Sequence, residues 1–329
     1  MLRLAIVGAG GMARVRARAL LSTGKIQLCG VAARRLSTAQ TMGAEFGCSA
    51  CFDDYRCLVE TRPDALLVEV PHEAQDSIAL WGLAQSLHVL IGGTLATTSS
   101  VAEQIAALAA QNGRVVEAGY EARYNPVWEY TKQLFESGEL GRLVTIRSIA
   151  LWAGDPRTWY YNQQISGGMP LTHMTYCFIN PVRWIAGEPL MVSAFASRVL
   201  NTAPELIDQE NVVANMKFGN DALCSMTAGF VAPGGLPAWG ATFIGTKGAV
   251  EVHPDEVGAG TVAVYLGGNV EEYNFTGTAN AFNLQAQAFV SAIAGEGQVR
   301  NSPAASAGDV RVAEAIVTSA RENRTVMLS

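Results

Sequence analysis

The sequence predicts a doubly wound α/β domain followed by an α+β domain with an open, largely antiparallel β-sheet. Three observations carry this. Short apolar runs alternate with helical stretches over residues 1–120, a glycine-rich turn follows the first run at Gly8, and beyond Tyr120 strand-like segments succeed one another with few helices between. A chain of 329 residues accommodates two ordinary domains. The texture changes near residues 119–125, so the expected domains are 1–121 and 122–329.

Leu2–Val7 is an apolar run broken only by Arg3, and Gly11–Thr23 follows with helical character. Ile26–Ala32 is a second run, and Ser37–Phe46 then reads as a helix with Ser37 as its cap. Ala65–Val70, His88–Ile91 and Arg114–Ala118 repeat the strand signal, separated by helical Glu73–Gln85 and Ser99–Asn112. Unbroken rather than alternating apolar runs mark strands covered on both faces, as in a parallel sheet. After a helix at Pro126–Ser137, strands are expected at Leu143–Trp152, Met191–Val199, Val212–Phe218, Ala222–Phe230, Ala241–Ile244, Ala249–His253 and Thr261–Leu266. Turn clusters such as Gly219-Asn220-Asp221 and Ala232-Pro233-Gly234-Gly235 separate them. Helices at Ala279–Ala294 and Ala304–Glu322 close the chain.

Hydrophobic residues make up 49% and charged residues 16%, enough for two packed cores. The net charge is −6 with no basic stripe, which argues against nucleic acid and anionic membrane as partners. No apolar run approaches the ~20 residues of a membrane span. The amino terminus lacks a signal-peptide layout and reads as structure from residue 2. The six cysteines have no framework spacing, so reduced thiols in a cytoplasmic protein are expected. Cys48, Cys51 and Cys57 lack a fourth ligand, and no metal site is expected.

Gly8-Ala9-Gly10-Gly11-Met12-Ala13 follows the first strand and opens the first helix, fitting G-x-G-x-x-G/A. The first glycine makes the turn, the second lets backbone approach a pyrophosphate, and Ala13 permits close helix–strand packing. Free N–H groups at the helix start then face the anion. Gly8, Gly10, Gly11 and Met12 are therefore candidate cofactor residues. At the end of the second run the chain reads Val31-Ala32-Ala33-Arg34-Arg35, with no carboxylate until Glu45. Arginine there suits a 2′-phosphate, so NADP(H) is expected as cofactor, with NAD(H) as the alternative. Pro71 and His72, at the tip of the Ala65–Val70 run, join the candidates because ligands sit at strand carboxyl ends.

At this point the sequence resembles the Gfo/Idh/MocA family of sugar and cyclitol oxidoreductases. The resemblance rests on the glycine turn, Leu87-His88-Val89-Leu90 with Leu95-Ala96-Thr97-Thr98, and Gly119-Tyr120-Glu121-Ala122-Arg123-Tyr124-Asn125-Pro126. Ser137-Gly138-Glu139-Leu140-Gly141, Trp159 with Ser166-Gly167-Gly168, Arg183-Trp184-Ile185-Ala186-Gly187-Glu188-Pro189 and Gly245-Thr246-Lys247-Gly248-Ala249-Val250-Glu251-Val252 continue it. It implies a Rossmann domain, an open-faced sheet domain, a carbohydrate-like small-molecule substrate and a homodimer or homotetramer. The family's catalytic positions depart from pattern. Where most members carry Glu-Lys-Pro, this chain has Gly92, Gly93 and Thr94, and its only lysines are at 25, 132, 217 and 247. Two absent side chains would enlarge the pocket beside the nicotinamide, placing Gly92 and Gly93 among the cofactor residues. Where most members carry Asp-x-x-x-His-x-x-Asp, this chain has His173, Cys177 and Asn180.

Residues 173, 177 and 180 share one helical face by spacing, and Pro181 is expected to end or kink that helix. A histidine titrates near neutrality and suits proton transfer as a hydride moves, so His173 is the candidate acid/base. Tyr161 is a second candidate, as a phenol able to protonate a carbonyl oxygen. Glu121, Tyr124, Trp159, Tyr160 and Cys177 are candidate substrate contacts. Three functions compete: an NADP(H)-dependent oxidoreductase of a sugar, cyclitol or related carbonyl compound; a nicotinamide-dependent lyase or glycoside hydrolase using transient oxidation; and a non-catalytic ligand-binding protein.

Overall fold

The computed structural model describes residues 1–168, 178–200, 203–236, 238–255 and 259–328. The amino-terminal elements are β1 (Leu2–Val7), α1 (Gly11–Ser22), β2 (Ile26–Ala32), α2 (Leu36–Glu45), β3 (Cys51–Phe52), β4 (Ala65–Val68), α3 (His72–Ala84), β5 (His88–Ile91), α4 (Ser99–Asn112) and β6 (Val116–Ala118). The strands form one parallel sheet in the order β3-β2-β1-β4-β5-β6. The chain steps outward from β1 in one direction and from β4 in the other, so the order reverses between them. That reversal opens a crevice at the carboxyl ends of β1 and β4.

The remaining elements are α5 (Pro126–Glu136), β7 (Leu143–Leu151), α6 (Gln163–Ser166), α7 (Asn180–Ala186), β8 (Pro189–Ser197), β9 (Asn211–Phe218), β10 (Leu223–Gly229), β11 (Trp239–Gly245), β12 (Gly248–Pro254), β13 (Gly260–Leu266), β14 (Asn269–Asn274), α8 (Ala281–Ile293), α9 (Pro303–Glu322) and β15 (Val326–Met327). The second sheet runs β14-β13-β12-β11-β7-β10-β9-β8-β15. Its pairs are antiparallel except β7 with β10. Both fold classes expected from sequence are therefore present. Contacts divide the chain into a unit of Met1–Tyr120 with Phe282–Ala307 and a unit of Glu121–Ala281 with Gly308–Ser329. The first unit thus takes in residues 282–307, which the sequence alone assigns to the second.

In the first unit β4 is buried throughout and β1 from Leu4 onward, which is why their sequences read as continuous apolar runs. Phe282, Ala286, Phe289 and Val290 of α8 share a core with Leu4, Ile6, Leu20 and Met42. Their i, i+4, i+7, i+8 spacing puts one stripe of the helix inward. In the second unit β7 and β9 alternate buried and exposed residues, so one face of that sheet is packed and the other open. The packed face carries Phe243, on which Trp128 of α5 sits with ring centroids 6.2 Å apart. Asn125 caps α5 by accepting the Val127 N–H at 3.0 Å, with Pro126 in the first turn.

Two local expectations need correction. Arg35, with extended backbone, precedes α2, so Ser37 lies inside the helix rather than capping it. The Ala65–Val70 run leaves the sheet at Val68. Phe178–Ile179 adopt wider π-helical geometry and α7 begins at Asn180 with Pro181 in its first turn, while residues 173–177 of the helix that Pro181 was expected to end or kink lie outside the described residues. Among the described residues no helix is long and apolar enough to cross a membrane.

Candidate functional site

The glycine turn lies where β1 ends and α1 begins. Gly8 has φ +107°, and a Cβ there would lie 1.8 Å from the Glu69 carbonyl oxygen, so both conformation and contact demand glycine. At Gly10 and Gly11 a side chain would meet nothing within 4 Å, leaving an open cradle over the start of α1. Gly10 caps α1 without a side-chain bond, and the first turn carries no acidic residue. Uncapped N–H groups, a positive helix end and open space suit a pyrophosphate. Met12 is exposed at the rim, while Ala13 is buried.

Arg34 and Arg35 follow β2, whose Ala32 carbonyl accepts the Gly8 N–H at 2.9 Å. Both guanidinium groups are exposed and bond to no described residue. Glu45, the first carboxylate after β2, is held by Arg14 at 2.6 Å and by Arg18. The hydrogen bond from Arg14 keeps its carboxyl below the usual range. The cations beside the turn are therefore available to an anionic ligand, and the carboxylate is already engaged.

On the other side of β1, Pro71 caps α3 and His72 starts it, buried to 7% exposure. Gly93 has φ +75°, a left-handed conformation that favours glycine. Gly92 has no such backbone reason. Its side-chain room is filled: a Cβ there would lie 2.2 Å from the Glu69 carboxyl carbon. The expected enlargement of the pocket by two missing side chains is corrected at this position, because another strand supplies the atoms. Glu69 accepts from Arg16 Nε, and Arg16 also donates to the Gly119 carbonyl and to Gln285 Oε1, both at 2.6 Å. Burial pushes the Glu69 carboxyl up, opposed by the Arg16 charge. The loop after Gly93 is tied down by Gln75 Nε2 donating to the Thr94 carbonyl at 2.7 Å and by Asp76 accepting the Thr97 N–H at 3.2 Å.

The substrate-side candidates belong to the second unit. Tyr124 is buried, Glu121 and Tyr160 are half-buried, and Trp159 is exposed. Trp159 and Tyr160 meet edge to face at 5.8 Å, and Tyr160 packs on Phe230 at 5.1 Å. Tyr161 stacks on Phe230 at 4.7 Å, and burial pushes its phenol up to about 12. A phenol held that firmly protonated in a packed aromatic cluster fits a structural role better than proton exchange near neutrality. His173 and Cys177 lie outside the described residues. Asn180 is fully buried and donates to Asp309 Oδ2 at 2.8 Å, so its amide serves packing within its own unit.

Glu69 and Arg16 were not among the sequence candidates. The signal was a carboxylate inside the otherwise apolar Ala65–Val70 run and an arginine on the buried face of α1.

A parallel sheet whose order reverses beside a glycine turn, with an open helix terminus at the reversal, is the arrangement of a dinucleotide-binding Rossmann domain. The chain belongs to the GFO/IDH/MocA family: residues 2–120 match the oxidoreductase family model with the NAD-binding Rossmann fold, and residues 128–251 match the GFO/IDH/MocA C-terminal domain. It is similar to D-glucoside 3-dehydrogenase of Escherichia coli (strain K12), at 26% identity over 59% of this chain and 57% of that protein. Inositol 2-dehydrogenase 1 of Saccharopolyspora erythraea is 25% identical over 89% of this chain and 86% of its own. Levoglucosan dehydrogenase, solved in complex with NADH, superposes with a TM-score of 0.89 at 20% identity, covering 100% of this chain and 99% of that one. That last likeness is one of fold.

Proposed function

We propose that the protein is an oxidoreductase of a sugar, cyclitol or related small polar carbonyl or alcohol, using NADP(H) in preference to NAD(H). The observation that carries the cofactor assignment is the pair Arg34 and Arg35, exposed and unengaged beside the glycine turn, with Glu45 bound to Arg14 and Arg18. Guanidinium groups match a 2′-phosphate, whereas a site for the unphosphorylated ribose uses a free carboxylate. The open cradle at Gly10 and Gly11 fits the pyrophosphate. Bound there, the nicotinamide would give or take the hydride.

His173 holds and moves the substrate proton in this reading, since the lysine expected at position 93 is absent and position 93 carries a glycine with positive φ. Trp159 and Tyr160 offer ring faces for a sugar. The glucoside and inositol dehydrogenases among the relatives support a polyhydroxylated substrate. We further propose that the open face of the second sheet pairs with a second copy of the chain.

The test is a fluorescence titration with NADPH and NADH, followed by turnover on a panel of sugars and cyclitols with the wild type and His173→Ala. Tighter NADPH binding and a loss of kcat/KM of about 10²–10⁴-fold in the variant are expected. Equal or reversed nucleotide preference would overturn the NADP(H) assignment. A retained nucleotide without net redox turnover would favour a lyase or hydrolase that oxidises its substrate transiently.

A further inference from the structure

The carboxylate of Glu69 occupies the side-chain room of Gly92. A Cβ on Gly92 would lie 2.2 Å from both Cδ and Oε1 of Glu69 and 2.5 Å from Oε2. The two positions meet because β4 and β5 pair in parallel with Val68 opposite Ile91, so the next residue on each strand stands at the same carboxyl edge. The backbone of Glu69 also abuts the glycine turn, since its carbonyl is what excludes a side chain at Gly8. The Glu69 side chain keeps 12% of its surface open, and one of its oxygens is taken by Arg16.

The place of this carboxylate across the crevice decides what it can meet. Arg34 and Arg35 lie at the end of β2, on one side of β1, and Glu69 lies at the end of β4, on the other. A dinucleotide whose pyrophosphate rests on α1 between them extends its adenosine half toward β2 and its second nucleoside toward β4. A carboxylate repels phosphate and accepts from hydroxyls. Of the dinucleotide's own groups, the one that brings hydroxyls to the β4 side is the ribose of that second nucleoside.

We propose that Glu69 is a cofactor-binding residue that accepts a hydroxyl of the nicotinamide-side ribose, its carboxylate delivered from β4 into the room that a side chain at position 92 would otherwise fill. This rests on the dinucleotide reading above. Arg16 is then a positioning residue: its bonds to Glu69 and to the Gly119 carbonyl hold the carboxylate in one place at the edge of the sheet.

The experiment compares two ligands on the same protein: the dinucleotide it binds better, and the matching adenosine-half fragment, adenosine 2′,5′-bisphosphate or ADP, which lacks the second ribose. Glu69→Gln preserves volume and an oxygen for Arg16. It should weaken the dinucleotide roughly 10-fold or more while moving the fragment less than about twofold, as expected for a hydrogen bond to a charged group. Glu69→Ala with Gly92→Glu returns the carboxylate to the same room from β5 and should recover dinucleotide affinity to within about threefold of wild type. Parallel loss of both ligands, or loss of neither, in Glu69→Gln would overturn the assignment, as would a swap variant that melts like wild type without regaining affinity. Failure of the wild type to bind either dinucleotide would instead overturn the dinucleotide reading itself.

Discussion

The hydroxyl of Tyr120 donates to Thr94 Oγ1 at 2.9 Å, and the same oxygen accepts the Leu95 N–H at 3.3 Å. All three residues are essentially solvent-free, so a residue just past β6 fastens the loop that follows β5. That loop occupies the positions where the family resemblance expects its lysine motif. Tyrosine here does the work of a staple, with its ring in the core and its hydroxyl bonded to backbone and threonine.

Tyr120→Phe removes that oxygen and strands a buried N–H. The expected cost is about 1–3 kcal/mol of stability, because an unmet buried donor loses its full hydration. Chemical denaturation of the two proteins checks it, and an unchanged midpoint would show that water replaces the hydroxyl.

Arg34→Ala with Arg35→Ala should weaken NADPH about 10- to 100-fold, the range for losing charge-assisted bonds to a phosphate, and leave NADH nearly unaffected. Titration at low and high salt checks the electrostatic origin, since exposed cations lose their advantage as salt rises. Equal loss for both nucleotides would place the arginines at the pyrophosphate instead.

Asp76 makes stability depend on pH. Burial pushes its carboxyl above the ordinary value of 3.8, against the hydrogen bonds it accepts from Thr97. A carboxyl whose pKa is raised by folding favours the folded state fully below its unfolded value, and that contribution is lost as pH rises through the folded value. Wild type should therefore lose stability relative to Asp76→Asn as pH climbs from about 4 toward neutrality. Parallel melting curves across that range would show that Asp76 titrates as it does in the unfolded chain.

Phe195, Val213, Thr227 and Ile149 stand in register across β8, β9, β10 and β7 on the open face of the second sheet. Phe195 is 66% exposed, an unusual environment for so large an apolar side chain in a lone protomer. Light scattering should report a dimer or tetramer for wild type, and Phe195→Glu should shift it toward monomer with an unchanged far-ultraviolet circular dichroism spectrum. A monomeric wild type at micromolar concentration would refute pairing through this face.

The sequence by itself determined the strand–helix alternation, because burial on both faces forces unbroken apolar runs and burial on one face forces alternation. Leu2–Val7, Ile26–Ala32, His88–Ile91 and Ser99–Asn112 were legible to the residue for that reason. The glycine turn was legible because its steric demands are local. Short edge strands such as Cys51–Phe52 and Val326–Met327 were not, since two residues carry no period and pair only when a neighbour is in place. The meaning of Gly92 was also beyond reach. Its partner Glu69 lies on a different strand, and only the parallel register of β4 with β5 brings the carboxylate into the room the glycine leaves. Patterns with a period are written along the chain, whereas contacts between strand ends are made by register, and register exists only in the folded sheet.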